Sequence, residues 1–249
     1  MPDARGALLA IASGKGGVGK TWLAVTLAHA LARSGRRVLL VDADFGLANV
    51  DVQLGLMPEV DLSSVLAGRS TLPAAVLRHA EGFDILPGRS GAVGLASLPV
   101  GVLEGLLADL RGLARAYDFV LLDLGSGLDA AMRHLAASTD GLIVVTTEEP
   151  TALTDAYAVL KLHAQDGAGH MPVHVVVNQA ASPASGQRIF ATLAQACDRF
   201  LGTAPDLLGI VRRDERVRDA IRRQMPLLLR HPTTPAARDA EAIAAALAA

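Results

Sequence analysis

Residues 14–21 read Gly-Lys-Gly-Gly-Val-Gly-Lys-Thr, and this stretch decides the fold. The stretch fits the pattern G-x-x-x-x-G-K-[ST] of a phosphate-binding loop. An apolar run at residues 8–12 precedes it and predicts a buried strand, while apolar residues at helical spacing follow it over residues 23–31. A glycine loop between a strand and a helix is the context that this motif requires, so we predict that the loop binds phosphate groups.

The residue types of the loop suit a triphosphate. Glycines let backbone N–H groups converge on the phosphates because no side chain blocks the approach, and the next helix adds unpaired N–H groups and a positive dipole end. Lys20 is expected to reach the β- and γ-phosphates, and the Thr21 hydroxyl is expected to ligate Mg²⁺. The alternative is a glycine-rich turn that binds nothing. The predicted nucleotide-binding residues here are Gly14, Lys15, Gly16, Gly17, Val18, Gly19, Lys20, Thr21 and Trp22.

The composition bounds the kind of protein that the chain can be. Of its 249 residues 51% are hydrophobic and only 3% are aromatic, which predicts a core of aliphatic side chains. The formal net charge of −2 gives no general expectation of binding nucleic acid or an anionic membrane. The single cysteine, Cys197, excludes an intramolecular disulfide and a metal site made of cysteines alone. With no signal-peptide pattern and no apolar run of roughly 20 residues, the sequence predicts a cytoplasmic protein.

Apolar runs alternate with helical patterns along the chain. Near-continuous apolar strands between helices are typical of a parallel sheet that is covered on both faces. We therefore predict an α/β fold with a doubly wound, mostly parallel sheet and helices on both faces, in one domain over residues 1–249. The predicted strands lie at 8–12, 38–41, 83–86, 119–123, 141–146, 173–178 and 208–211, and the predicted helices include two short ones within 61–77 and longer ones at 102–116 and 186–200.

Polar side chains lie where several of these strands end. Asp42, Asp44, Asp123 and Asn178 all occupy such positions, and ligands of doubly wound folds bind beyond the carboxyl ends of the strands. Asp123 is expected to contact Mg²⁺ directly or through water, although a turn residue at a strand end is the alternative. A second acid nearby is compatible with this, because a dication keeps both carboxylates ionised. The predicted metal site comprises Thr21, Asp44 and Asp123.

Lys15 is not required by a simple phosphate-binding loop. The string at residues 15–21 resembles the deviant Walker A motif of the MinD/ParA family of P-loop ATPases. In that family the first lysine reaches across an ATP-sandwich homodimer to the partner's nucleotide, where a second cation offsets charge that develops during phosphoryl transfer. The resemblance implies a slow, regulatory ATPase that cycles between ATP and ADP with Mg²⁺. The sequence departs from the family at Trp22, where a small hydroxyl or amide residue is usual and contacts the α-phosphate through its side chain.

Two further segments resemble the nucleotide switches of this family. Residues 42–51 resemble switch I, which implies that Asp44 positions the attacking water and that Asn49 lies near the dimer interface. Residues 123–127 resemble switch II, in which Gly125 would let the backbone approach the γ-phosphate. The catalytic residues implied by the resemblance are Lys15, Lys20, Asp44 and Asp123.

The base-binding residues are also implied by the resemblance. Asn178 matches an asparagine that hydrogen-bonds adenine in the family, and an amide can both donate to and accept from the edge of adenine. The loop near Arg212, Arg213 and Asp214 is expected to approach the base as well, although the family often has proline in that loop and this chain has arginine.

Within the family, several strings resemble the FlhG/FleN branch, which controls flagellar number and placement, more than cell-division MinD. The resemblance implies an ATP-dependent homodimer that presents a surface to a protein of the flagellar machinery or of another positioning system. Such a partner would recruit it from the cytoplasm to a pole or to the inner membrane face. The strings lie at residues 46–52, 86–91, 149–157, 217–221 and 224–226.

The same sequence bears on two other modes of localisation. Many family members bind membranes through a basic amphipathic C-terminal helix, whereas residues 236–249 contain one basic residue, Arg238, and are expected to form a packed helix with Ile243 and Leu247 inward. A DNA-partition ATPase would use an arginine-rich patch on the phosphate backbone, and the alternative for such a patch is a solvated helix face. The arginines concerned are Arg212, Arg213, Arg216, Arg218, Arg222, Arg223 and Arg230.

Other functions of this fold would need different residues. Metal-cluster carriers need paired cysteines, and tyrosine autokinases carry a terminal tyrosine cluster, whereas Tyr117 and Tyr157 are the only tyrosines here. A scaffold that binds nucleotide without hydrolysis is conceivable because of Trp22. The retained lysines and acids, Lys15, Lys20, Asp44 and Asp123, weigh against it.

The remaining candidates for chemistry are histidines and the cysteine. The histidines at 163, 170 and 174 have no spacing typical of metal ligands, and they are expected in loops or at the surface. Cys197 falls within a helical pattern and is expected to be a small core residue.

Overall fold

A computed structural model describes residues 6–44, 46–89, 99–127, 129–168 and 171–249. Some predictions therefore fall partly outside the described residues. These are position 45 of the segment resembling switch I, residues 90–91 of the string at 86–91, His170, and the first five residues of the predicted domain.

The strands of the described residues form one eight-stranded sheet with the order β3-β4-β2-β5-β1-β6-β7-β8. All neighbouring strands are parallel except β3 and β4, which confirms the predicted mostly parallel sheet. The antiparallel β3 was not predicted because two residues are too short to leave a pattern. The strands are β1 Ala7–Ser13, β2 Val38–Ala43, β3 Leu77–Arg78, β4 Asp84–Leu86, β5 Phe119–Ser126, β6 Gly141–Thr146, β7 Val173–Ala180 and β8 Asp206–Arg212.

Helices cover both faces of the sheet, as predicted. One core lies under α5, α6, α7 and α8, and the other lies under α1, α10 and α11. Alternate residues of β1 enter the two cores, because successive side chains of a strand point to opposite faces. The helices are α1 Lys20–Arg33, α2 Val50–Leu54, α3 Leu62–Leu66, α4 Leu72–Ala75, α5 Val100–Ala114, α6 Ala130–Ala137, α7 Pro150–His163, α8 Pro183–Leu201, α9 Glu215–Arg222, α10 Leu227–Arg230 and α11 Pro235–Ala248.

The last helix packs as its sequence predicted. Ile243 and Leu247 are buried against the sheet, and α11 also lies beside α1. Gly209 of β8 allows this close approach, since a Cβ atom there would lie 2.4 Å from the Ile243 side chain. Within the described ranges, none of the helices combines the length and the apolar character needed to cross a bilayer.

Three local predictions need correction. β5 continues to Ser126 instead of ending at Asp123, because Ser126 still pairs with Ser13 of β1. Asn178 likewise lies within β7, two residues before its end. His163 was expected in a loop or at the surface, but α7 extends to it and its ring is buried. Cys197 is buried in α8, as predicted.

Candidate functional site

The glycine loop joins β1 to α1 at the carboxyl edge of the sheet. Gly17 and Gly19 have φ values of +81° and +88°, which side chains rarely allow, and the helix begins immediately after Gly19. A cavity of about 260 Å³ opens over this loop. Its lining brings together most of the predicted phosphate and metal residues: Lys15, Gly16, Gly17, Val18, Gly19, Lys20, Thr21 and Asp44.

Lys20 and Asp123 form a buried ion pair at the floor of the site. The Nζ–Oδ1 distance is 2.7 Å. The sheet order explains this contact, because β5 lies directly beside β1, the strand that leads into the loop. Burial raises the pKa of the Asp123 carboxyl, while the charge and hydrogen bond of Lys20 act in the opposite direction. Among the described residues Asp123 Oδ2 has no hydrogen-bond partner although it is buried, so the carboxylate retains an oxygen that fits a cation.

Asp44 lies just beyond β2 on the same side of the cavity. Its Oδ1 accepts a hydrogen bond from the Leu47 N–H at 3.0 Å. A Cβ atom on Gly125 would lie 3.3 Å from that oxygen, so the backbone of the segment resembling switch II passes close to the acid. The charge of Asp44 also raises the pKa of Asp123. Asp44 thus lines the cavity while Asp123 is buried against Lys20, and a bound dication would relieve the repulsion between the two carboxylates.

Asp42 organises the segment that carries Asp44. Its carboxylate Oδ2 accepts N–H hydrogen bonds from Asn49 and Val50, both at 2.9 Å. Burial, and then the charge of Asp123, raise the pKa of Asp42 to about 7. The sequence showed Asp42 as one of the acids near strand ends without indicating that its carboxylate accepts hydrogen bonds from the N–H groups of Asp44, Asn49 and Val50.

Lys15 lies at the rim of the cavity and binds another loop of the same chain. Its Nζ is 2.6 Å from Glu149 Oε2 and 2.8 Å from Thr151 Oγ1. Glu149 precedes α7, and Thr151 lies in its first turn. The Lys15 side chain is 36% exposed, so its ammonium is accessible to solvent. Neither Glu149 nor Thr151 was among the predicted site residues.

A second cavity of about 250 Å³ adjoins the loop on the side of β7 and α9. Asn178 lines it, but its amide also braces the loop: Nδ2 donates to the Val18 carbonyl at 2.8 Å, and Oδ1 accepts from the Gln179 N–H at 2.9 Å. Trp22 lines both cavities with a side chain that is only 5% exposed. Its Nε1 has no hydrogen-bond partner in the part of the chain that the structure describes. The two cavities adjoin each other, because Gly17, Gly19 and Trp22 line both of them.

Arg212 borders the second cavity but is held by α11. Its Nε and Nη2 donate to the two oxygens of Asp239 at 2.8 and 2.7 Å. Arg212 ends β8 and has its guanidinium engaged by a carboxylate, and its approach to a base stays a prediction. Two other members of the predicted arginine patch are also paired, Arg218 with Glu215 and Arg230 with Asp219.

Comparison with known proteins agrees with this geometry. The family described as CobQ/CobB/MinD/ParA nucleotide binding domain matches residues 9–227. The chain is 38% identical over 237 residues to the antiactivator FleN of Pseudomonas aeruginosa, covering 95% of this chain and 84% of that protein. It is 31% identical over 185 residues to the flagellum site-determining protein YlxH of Helicobacter pylori, covering 74% and 62% of the two chains. The septum site-determining protein MinD of Pyrococcus horikoshii, solved with Mg-ADP, superposes with a TM-score of 0.78 at 26% identity over 96% of this chain and 94% of that chain. The chain therefore belongs to the MinD/ParA family of ATPases, on its FleN-like branch.

Proposed function

We propose that this ATPase is a dimerisation switch that controls the number or placement of flagella. ATP with Mg²⁺ would join two copies, the dimer would present a surface to a partner protein, and slow hydrolysis would separate the copies. The observation that carries the proposal is the position of Lys15, whose partly exposed ammonium lies at the rim of the cavity and bonds away from the glycine loop. The similarity to FleN and YlxH supports the flagellar output.

The residues around the loop would bind the nucleotide as follows. The backbone N–H groups of the loop would surround the phosphates, and Lys20 would exchange Asp123 for the β- and γ-phosphate oxygens. Asp123, released from Lys20, would then hold Mg²⁺ together with Thr21. The unpaired Oδ2 of Asp123 supports this assignment. Bound Mg²⁺ would neutralise charge on the phosphates.

Hydrolysis would depend on Asp44 and Lys15. Asp44 lies beside Gly125, where its carboxylate would orient the water that attacks the γ-phosphate. Lys15 of a second copy would lie against the same phosphates and offset the charge that develops there. In this account each nucleotide is enclosed by both copies, and neither copy alone is a complete catalyst.

Solution mass measured by light scattering tests the proposal. Wild type and the Asp44→Ala variant would each be measured with ADP and with ATP plus Mg²⁺. We expect a dimer with ATP only, and a longer-lived dimer in Asp44→Ala because hydrolysis no longer opens it. Asp109→Ala, an exposed acid on α5, is the matched control and should behave as wild type. An Asp44→Ala protein that stays monomeric with ATP and Mg²⁺ would contradict the switch.

A second candidate function is the positioning of DNA, the division site or another polar cargo. Exposed arginines on and around α9 favour DNA, namely Arg213, Arg216, Arg222 and Arg223. DNA binding that requires ATP and weakens steeply with salt would support this candidate. The variant Arg222→Ala/Arg223→Ala should then lose DNA binding and keep ATP-dependent dimerisation. Unchanged flagellar number in cells that lack the protein would further favour it over the flagellar role.

A further inference from the structure

β7 contains an irregularity at the edge of the second cavity. Val177 pairs with Ile210 and Ala180 pairs with Arg212, so β7 has one residue more than β8 between these two pairs. This is a β-bulge, a feature that turns side chains toward new directions and that is common beside active sites. The bulge contains Gln179, whose φ of 55° lies in the left-handed region. Side chains seldom occupy that region, and strained residues of this kind cluster at functional sites.

The bulge turns the Gln179 side chain toward the glycine loop. Its Nε2 lies 3.4 Å from the Gly17 carbonyl oxygen, and a Cβ atom on Gly19 would lie 3.8 Å from the same nitrogen. Gln179 also lines the second cavity beside Trp22. The terminal amide therefore lies where the cavity over the glycine loop, which we expect to hold the phosphates, adjoins the second cavity, which we expect to hold the base.

The hydrogen bonds set the orientation of this amide. A carbonyl oxygen can only accept, so the Gly17 carbonyl selects the NH₂ end of Gln179. The Oε1 end is left as an acceptor, and it has no hydrogen-bond partner among the described residues. The neighbouring Asn178 differs, since both ends of its amide already bond the protein backbone.

We propose that Gln179 is a specificity-determining residue that accepts a hydrogen bond from the exocyclic amino group of adenine. Adenine carries an amino group at C6, whereas hypoxanthine and guanine carry a carbonyl there, which an acceptor oxygen repels. Asn178 then acts mainly as a brace for the loop, and Gln179 discriminates between the bases. The inference rests on the proposed nucleotide binding and assigns the base selection of the same site.

Binding of ADP and of inosine diphosphate, measured by titration calorimetry, tests the inference. The bases of the two diphosphates differ in the group at C6, which is amino in adenine and carbonyl in hypoxanthine, and in the proton that hypoxanthine carries on N1. Diphosphates are used because ATP would also dimerise the proposed switch. We expect wild type to prefer ADP. In Gln179→Met, which keeps the length and removes the amide, ADP affinity should fall roughly two- to tenfold, the effect of one neutral hydrogen bond. The affinity for inosine diphosphate should change little, so the preference should shrink.

Two further variants separate recognition from structure. Gln179→Gly removes the amide and relieves the left-handed strain, so it should be folded and should show the same reduced preference. Gln224→Met is the matched control, because Gln224 is also left-handed at φ 53° but its amide bonds the Val52 carbonyl away from the cavity. It should keep the wild-type preference.

Several results would overturn the inference. A wild-type preference for ADP in Gln179→Met would show that other groups select the base, and an equal loss for both nucleotides would show that Gln179 only supports the loop. A wild type that binds both nucleotides equally would overturn the inference alone. A wild type that binds neither would also overturn the proposed function.

Discussion

The ammonium of Lys15 lies 2.6 Å from the carboxylate of Glu149 in the single chain, and the Thr151 hydroxyl lies 2.8 Å away on the same nitrogen. The Lys15 ammonium also lowers the pKa of Glu149. The lysine that we expect to act on a partner's nucleotide is therefore held by its own chain. A transfer of Lys15 to the partner would have to break this contact once in each copy.

Glu149→Gln should tighten the ATP-dependent dimer. The substitution weakens the Lys15–Glu149 contact, which competes with the partner's nucleotide for Lys15. A symmetric dimer breaks this contact in both copies, so the free-energy change on the dimer dissociation constant is twice that of one contact. Because the pair is solvent-exposed, the gain should be on the order of tenfold or less. The dissociation constant would be measured by sedimentation in the Asp44→Ala background with ATP. Glu104→Gln is the control, because Glu104 is an exposed acid on α5. A weaker dimer in Glu149→Gln would show instead that Glu149 supports the interface.

Lys20→Met should destabilise the protein, and a second substitution should restore much of the loss. Removal of one partner of a buried ion pair leaves the other unpaired, which costs about 3–5 kcal/mol. Replacing Asp123 by Asn in the same protein removes the unpaired charge, so Lys20→Met/Asp123→Asn should be more stable than Lys20→Met. Urea unfolding without nucleotide gives the free energies. If Lys20→Met alone were as stable as wild type, the 2.7 Å contact between Lys20 and Asp123 would contribute little to the free energy of unfolding.

The buried acid Asp42 should leave a signature in the pH dependence of stability. Its pKa is raised to about 7 in the folded protein, against about 3.9 for an unfolded aspartate. Between these values the folded state binds the additional proton, so this group's contribution to the free energy of unfolding falls as pH rises from about 4 to about 7. Asp42→Asn should remove that slope. As pH rises from about 4 to about 7, the free energy of unfolding of the variant should therefore increase relative to that of wild type. The comparison is made by urea unfolding without Mg²⁺ or nucleotide, and parallel curves for the two proteins would contradict the assignment.

Trp22 should report nucleotide binding by its fluorescence. It is the only tryptophan of the chain, and its buried ring borders both cavities. ADP with Mg²⁺ should shift its emission with a saturable dependence on nucleotide concentration. The Lys20→Met/Asp123→Asn protein lacks the residues that would hold the phosphates and the metal, so its emission should not respond. An emission that never changes, although calorimetry detects binding, would place the nucleotide away from Trp22.

The sequence predicted the parts of this site that are local. The glycine loop, α1 and β6 are all contained in single stretches whose patterns specify them, and β6 has the predicted bounds of 141–146. The packed C-terminal helix with Ile243 inward was predictable for the same reason.

The contacts between distant stretches were not predictable from local patterns. Glu149 meets Lys15 across 134 positions because β6 lies beside β1 in the sheet, and the strand order has no local signature. Gln179 was missed because its bulge is defined by pairing with β8. His163 was placed wrongly because the end of α7 is set by packing on the sheet.

The central claim is that Lys15 acts on the nucleotide of the other copy, and ATPase activity of mixed variants tests it most directly. Lys15→Ala and Asp44→Ala should each be inactive alone. In a mixed dimer, the site that keeps Asp44 receives Lys15 from its partner and should hydrolyse ATP, while the other site lacks both residues. With random assortment the equimolar mixture should recover about a quarter of the wild-type rate, since half of the dimers have one complete site of two. A mixture as inactive as its components would contradict action in trans.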